Sequence, residues 1–448
     1  MRAISRAISR QGWVMLHRWA GLSTALFLAV AGLTGMALAW EEEIEGWTAP
    51  QLLRAAPAHP GQPLRDPAEL ARAALARHPG MAITYLPLSV PPGRSLDIRV
   101  SWPGLAHPPP ADELFLNPYT GAELGWRHWG DIGEGWRNLM PFVYRLHYSL
   151  LLGDAGELVM GIAALVWMGD CFLGFYLTLP PPAPRGAARK GSWLASKVGW
   201  LARWRPAWVV RRHVSAHKRH FDLHRAGGLW VWPVLLVFAT SSVSFNLPGV
   251  YGPVQRALGG QDGAALLAAR ALPAPRLHPA LDPVAARARG AALAAAAIAR
   301  AGAQGRPQGA SWLWQAPAAG AWIYGFSTSA DIPDKGGASR LAFDSDTGQL
   351  LGVALAGQAP AANRFTDWIV ALHMARVFGP WWQALVSLVG AAVCLLAATG
   401  VLIWLKKREA RRRRIRPATP AAARIPSPSA PPPCASRQSC ECRESARR

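Results

Sequence analysis

The sequence predicts a membrane α-helical protein: four transmembrane helices in a duplicated two-helix repeat, with two α+β domains on the outer side. Three observations predict it. Hydrophobic residues make up 51% of the 448, yet the formal net charge is +22. That combination suits a bilayer protein with basic cytosolic edges better than a soluble globule. Four apolar runs, roughly 14–40, 158–179, 229–247 and 382–405, are long enough to cross about 30 Å at 1.5 Å per residue. Third, short motifs recur in the two halves. HRWAGL at 17–22 matches HRAGGL at 224–229, TGAELG at 120–125 matches TGQLLG at 347–352, and LHYSLLLG at 146–153 matches LHMARVFG at 372–379.

In chain order, a short cytosolic N-terminus (1–12) leads into the first span (13–40). Ala37-Leu38-Ala39 resembles a signal-peptide cleavage site, but the long apolar core argues for a retained helix. The first outer domain (41–143) has a helix-like stretch at 67–77, then alternating strand-like MAITYLPL and SLDIRVSW. An outer histidine segment and the second span follow (144–179), then a basic cytosolic loop (180–223) and the third span (224–247). The second outer domain (248–364) has an Ala-rich helical stretch, then AWIYGFST and RLAFDSDTGQLLG. Asn-Pro-Tyr-Thr-Gly and Asp-Ser-Asp-Thr-Gly are hairpin chemistry, with glycine supplying positive φ. Two independently folded outer units of similar architecture are expected. A second outer histidine segment with the fourth span (365–405) and a basic tail (406–448), disordered by composition, complete the chain.

Charge orients it. Residues 1–18 hold four Lys/Arg and no acid, 180–225 hold eleven and one acid, and 406–448 hold thirteen and three acids. Residues 41–143 hold eight against twelve acids. By the positive-inside rule both termini and the middle loop are cytosolic and the two long segments lie outside. The basic charge clusters beside apolar segments, which favours a lipid surface over nucleic acid as partner. Five cysteines form no disulfide framework: Cys171 and Cys394 sit in apolar runs, while Cys434, Cys440 and Cys442 lie in the tail with no zinc spacing.

The repeat puts one histidine at the cytosolic start of each first helix, His17 and His224, and one at the outer start of each second helix, His147 and His373. Topology pairs His17 with His224 and His147 with His373. Ionisable groups at membrane depth are costly and usually functional. Two facing imidazoles can take both axial positions of a haem iron, each keeping a second nitrogen for an outer hydrogen bond. Gly21, Gly227 and Gly228 would let a flat macrocycle approach. Arg18, Arg225, Arg145 and Arg376 suit haem propionates, or act as snorkelling anchors. A competing stripe of His213, His217, His220 and His224 has helical spacing and would suit zinc or copper. Many of the 22 tryptophans sit at span ends as an interfacial belt. Asp170 and Asp367 read as hydrogen-bonded structural carboxylates or as parts of a proton route.

LHRWAGL…AGLTG, YRLHYSLLLGDAGE, FDLHRAGGLW with SSVSFNLPGVY, and LHMARVFG together resemble the PepSY-associated transmembrane proteins, often called iron-regulated membrane proteins. The resemblance covers roughly 10–408, with Ser241-Ser242 standing where a Thr-Gly pair is common. It implies two periplasmic PepSY-like domains (41–143 and 248–364), a bacterial inner-membrane location, two b-type haems ligated by His17, His147, His224 and His373, and a ferric-siderophore reductase role. Electrons would come from a cytosolic or quinol donor and go to a ferric siderophore or other ferric chelate. The alternative is a non-enzymatic PepSY membrane module that binds a peptide, protease or metal in the periplasm.

Overall fold

The computed structural model describes residues 9–181, 193–261, 267, 270–302, 306–332 and 338–415. The three tail cysteines lie outside these residues. Among the described residues four helices are long and apolar enough to cross a membrane: α1 (Arg10–Leu38), α6 (Gly153–Thr178), α8 (Ala216–Asn246) and α12 (Pro380–Ile415). Ser9 caps α1 through its hydroxyl, which accepts from the Gly12 amide. Pro233 lies inside α8, where its ring denies the helix one donor. Short helices α2 (Glu41–Thr48) and α3 (Pro50–Leu53) follow α1, and α7 (Trp193–Trp204) precedes α8.

The histidine segments are not simple extensions of the spans behind them. His147 sits on a separate helix, α5 (Leu139–Ser149), and His373 is the last residue of α11 (Ala361–His373). The chain turns sharply after each. Leu150 and Leu151 take φ of 53° and 63°, and Ala375 and Phe378 take 52° and 59°. Left-handed backbone at non-glycine residues is costly and persists only where packing dictates it. Trp382 Nε1 donates to the Leu372 carbonyl at 2.8 Å, tying the end of α11 to α12.

Between the helical segments the chain forms one eight-stranded antiparallel sheet of order β4-β3-β2-β1-β5-β6-β7-β8. Strands β1 (Ala82–Pro87), β2 (Leu96–Ser101), β3 (Glu113–Leu116) and β4 (Glu123–Arg127) come from the first long segment. β5 (Pro307–Ala316), β6 (Ala321–Thr328), β7 (Ser339–Asp344) and β8 (Leu350–Ala354) come from the second. The separate outer units expected from sequence are instead joined. β1 pairs with β5 in the register Tyr85↔Trp314 and Pro87↔Trp312, which satisfies an edge that either segment alone would expose. One core backs both halves: Leu86, Ile98, Leu114, Leu313, Trp322 and Leu341 are buried together under α4 (Pro67–Arg77) and α10 (Pro283–Arg300). The N-cap aspartate of each of these helices meets an arginine of the other, Asp66 with Arg287 at 2.7 Å and Asp282 with Arg72 at 3.9 Å. A last short helix, α9 (Pro248–Ala257), follows α8.

The two predicted hairpins have the same construction. Asn117 Oδ1 accepts from the amides of Tyr119 and Thr120, and Asp344 Oδ1 from those of Asp346 and Thr347. Gly121 and Gly348 close the turns at φ of 81° and 70°.

Candidate functional site: two facing histidine pairs

The four repeat-motif histidines come together as two pairs. The rings of His17 and His224 have centroids 6.1 Å apart, and those of His147 and His373 stand 6.3 Å apart. The first pair lies at the start of α1 and α8. The second lies beside their opposite ends, next to the sheet. His17 and Thr34, which contacts His147, are seventeen residues apart on α1; so are His224 and Ser241, which contacts His373, on α8. At about 1.5 Å per residue the pairs are therefore about 25 Å apart along the bundle, close to a bilayer's hydrocarbon thickness of about 30 Å.

Each ring is held from behind through Nδ1. His17 Nδ1 bonds Asp170 Oδ1 at 2.8 Å, and His224 Nδ1 lies 3.1 Å from both the Leu396 carbonyl and Thr399 Oγ1. His147 Nδ1 bonds Thr34 Oγ1 at 2.8 Å, and His373 Nδ1 bonds Ser241 Oγ at 2.6 Å. These partners fix the tautomer. A carboxylate and a carbonyl only accept. The Thr34 hydroxyl already donates to Val30 O at 2.6 Å and the Ser241 hydroxyl to Val237 O at 2.8 Å, so each has only a lone pair left for histidine. All four Nδ1 atoms are donors, so in the neutral ring each Nε2 carries the bare lone pair. No Nε2 atom of the four has a hydrogen-bond partner among the described residues.

Glycines set how closely the rings approach the neighbouring helices. A Cβ on Gly174, Gly400 or Gly35 would stand 3.3 Å from Cε1 of His17, His224 or His147 respectively. A Cβ on Gly21 would lie 3.6 Å from Asp170 Oδ2, an ordinary contact distance. Gly227 and Gly228 face Leu396 at ordinary contact distance. Phe238 and Phe245 wall the His373 ring, with centroids at 4.9 and 5.6 Å.

The unpaired Nε2 atoms of each pair could coordinate a cation between them. Among the described residues no group of three or more His, Cys, Asp or Glu side chains is placed to hold a metal ion, whereas a structural zinc takes about four protein ligands. A metal that brings its own equatorial ligands, as haem iron does, needs only two from the protein. The spacing fits. A metal–imidazole bond of about 2.0 Å, plus about 1.1 Å from nitrogen to ring centre for ring bonds of about 1.33 Å, gives roughly 6.2 Å between centroids across a shared iron.

The other predicted residues are less uniform. Arg225 is engaged with the Pro206 carbonyl at 2.6 Å and Asp222 at 3.2 Å, and covers Phe221. Arg18 is half-buried and Arg376 exposed, and neither has a hydrogen bond or ion pair among the described residues. Arg145 lies with its aliphatic stem over Gly130. The four-histidine stripe does not form: His213 precedes α8 in left-handed backbone, with φ of 58°, and only His217, His220 and His224 are on the helix. Thr34, Thr399 and Ser241 were missed in sequence, although Thr34 and Ser241 occupy matching places in the two halves.

Comparison with curated proteins finds no match. The sequence model of the PepSY-associated TM region family matches residues 14–407, which include all four histidines and the whole sheet. The chain belongs to the PepSY-associated TM region family.

Proposed function

We propose that this chain is a bacterial inner-membrane dihaem protein that passes electrons outward to reduce a ferric siderophore or other ferric chelate in the periplasm. In this reading the halves are a duplication, the sheet is a fused pair of periplasmic PepSY-like domains, and both termini are cytosolic. The observation that carries it is the two histidine pairs, whose ring centroids stand 6.1 and 6.3 Å apart, close to the roughly 6.2 Å expected across a shared iron. The excess of Lys/Arg in 1–18 and 180–225 supports the orientation.

His17 with His224, and His147 with His373, would hold haem b through Nε2. Bound there, haem supplies a one-electron couple near each membrane face. The protein's own contribution is positional. Asp170, Thr399 with the Leu396 carbonyl, Thr34 and Ser241 keep each imidazole in the ligating tautomer. Gly35, Gly174 and Gly400 seat the rings against the neighbouring helices. Phe238 and Phe245 keep water from the sheet-side pair. Arg18, Arg145 and Arg376 are the guanidinium groups left to meet propionates, with Arg225 already committed to Asp222. A cytosolic or quinol donor feeds the His17–His224 side, and the ferric chelate takes the electron on the other. Its iron, once Fe(II), holds hard oxygen ligands less tightly and leaves the chelator.

The test is a pyridine haemochrome assay on purified protein, with reduced-minus-oxidised spectra. Two haems per chain with low-spin bands are expected. A folded, colourless protein overturns the proposal.

A further inference from the structure

The four histidines are held by different chemistry. Three have neutral acceptors: Thr34, Ser241, and Thr399 with the Leu396 carbonyl. Only His17 has a carboxylate, Asp170 at 2.8 Å. Asp170 is buried, 8% exposed, and His17 is its only ion-pair partner among the described residues. No arginine or lysine neutralises its charge there. The nearby arginines do not offset the difference. Arg18 and Arg225 adjoin the His17–His224 pair, and Arg145 and Arg376 adjoin the other, two for each. Asp222 pairs with Arg211 at 2.7 Å as well as with Arg225 at 3.2 Å, so that cluster adds no net negative charge to the first site.

Resting on the dihaem proposal above, we infer that Asp170 is a positioning residue that makes the His17–His224 site the more reducing of the two. A carboxylate on the Nδ1–H strengthens the Nε2 lone pair, and its charge favours the ferric over the ferrous state. The hydroxyls behind His147 and His373 give neither effect. One electron entering at the His17 side therefore runs downhill to the sheet side, where a ferric chelate would accept it. In this reading the gradient would be set by a single side chain on α6.

The experiment is a spectroelectrochemical titration of the haem-loaded protein, with haem content measured in parallel. In wild type, two one-electron waves are expected. Asp170→Asn keeps an oxygen acceptor and removes the charge. It should move the lower wave positive by at least the 59 mV that corresponds to a tenfold change in a one-electron equilibrium, leave the upper wave in place and keep both haems. Asp170→Glu should restore the lower potential, which a merely structural role would not predict. Should the asparagine variant lose its haem, His147→Ala serves instead: the wave that survives must be the lower of the wild-type two. Two haems with waves indifferent to Asp170→Asn, or survival of the upper wave in His147→Ala, would overturn the inference alone. A wild type without haem overturns the parent proposal instead.

Discussion

On the dihaem proposal, replacing Thr34 with valine tests whether hydroxyls fix the sheet-side histidines. The substitution nearly preserves volume in a residue that is 8% exposed. It deletes the acceptor 2.8 Å from His147 Nδ1 and the donor 2.6 Å from Val30 O. The Val30 carbonyl keeps its place in the helix ladder. The Ala31 carbonyl also lies within reach of the His147 ring, so the full cost of an unsatisfied donor is the upper bound on the loss. Leaving a buried donor unsatisfied costs about 1–3 kcal/mol, which at 1.4 kcal/mol per tenfold is a roughly 5- to 150-fold loss of affinity. The ring can instead move its proton to Nε2, which puts an N–H where the metal would bind. Either way the sheet-side site weakens. The His17–His224 site, about 25 Å away along α1, should be unaffected, because distant sites perturb each other little. Thr34→Ser keeps the hydroxyl and should behave as wild type; Ser241→Ala should repeat the valine effect through His373. The assay is the rate of haem loss to an excess of haem-free globin, with the two sites resolved by their spectra. Equal loss from Thr34→Val and wild type, or loss confined to the far site, would refute the reasoning.

Gly174→Val should block the His17 site by forcing a branched side chain against Cε1, where even a Cβ stands only 3.3 Å away; haem stoichiometry should fall from two to one, with the sheet-side spectrum retained. Gly174→Ala needs a shift of only a few tenths of an ångström and should keep both. On the sheet side of the bundle, burial chiefly, with Glu45 adding, holds the Glu41 carboxyl up at about 7 against an ordinary 4.5. The folded state then binds a proton that the unfolded chain has released. That contribution is present in full below about 4.5 and is lost as pH rises through about 7, at most about 3 kcal/mol. Melting temperature from about pH 5 to 8 should fall more steeply in wild type than in Glu41→Gln, and parallel profiles would contradict the assignment.

The four histidines were legible because a repeated motif and a hydropathy pattern together place each one near one end of a long apolar helix. Pairing His17 with His224 required only topology, and the 6.1 Å contact agrees with it. Asp170 stood out as a carboxylate in an apolar run, but nothing in sequence tells that its helix turns it onto a histidine 153 positions earlier. Thr34 and Ser241 were legible in principle, seventeen positions after each helix-opening histidine, but hydroxyls in membrane helices so often bond their own backbone that the pattern carries little weight. Both do so here as well. The Leu396 carbonyl was out of reach, since any residue could supply it. The fused sheet was missed for another reason. Strand propensity reports fitness for a pleated surface, not the identity of the neighbour. The alternation in β1 and β5 predicts two strands equally well whether or not Tyr85 lies across from Trp314.

The same two helices build both sites. α1 supplies His17 to one and the Thr34 acceptor to the other, and α8 supplies His224 and Ser241 in the same way. Each helix is therefore a ruler: its rise per residue sets the distance between the pairs, and no special packing in the middle of the bundle is needed to keep it. What remains to be fixed is the gap across each pair, which depends on α1 and α8 holding their relative positions. Two contacts outside the helices oppose sliding of the halves, the continuous β1–β5 ladder and the reciprocal Asp66–Arg287 and Asp282–Arg72 pairs. The ion pairs are partly exposed and contribute little energy by themselves. The ladder and the core beneath it are what make slippage costly, because a one-residue shift would turn Leu86 and Leu313 out of the shared core. The fused sheet thus contributes to the geometry of the histidine pairs at a distance, by fixing the register of the two halves whose helices carry them.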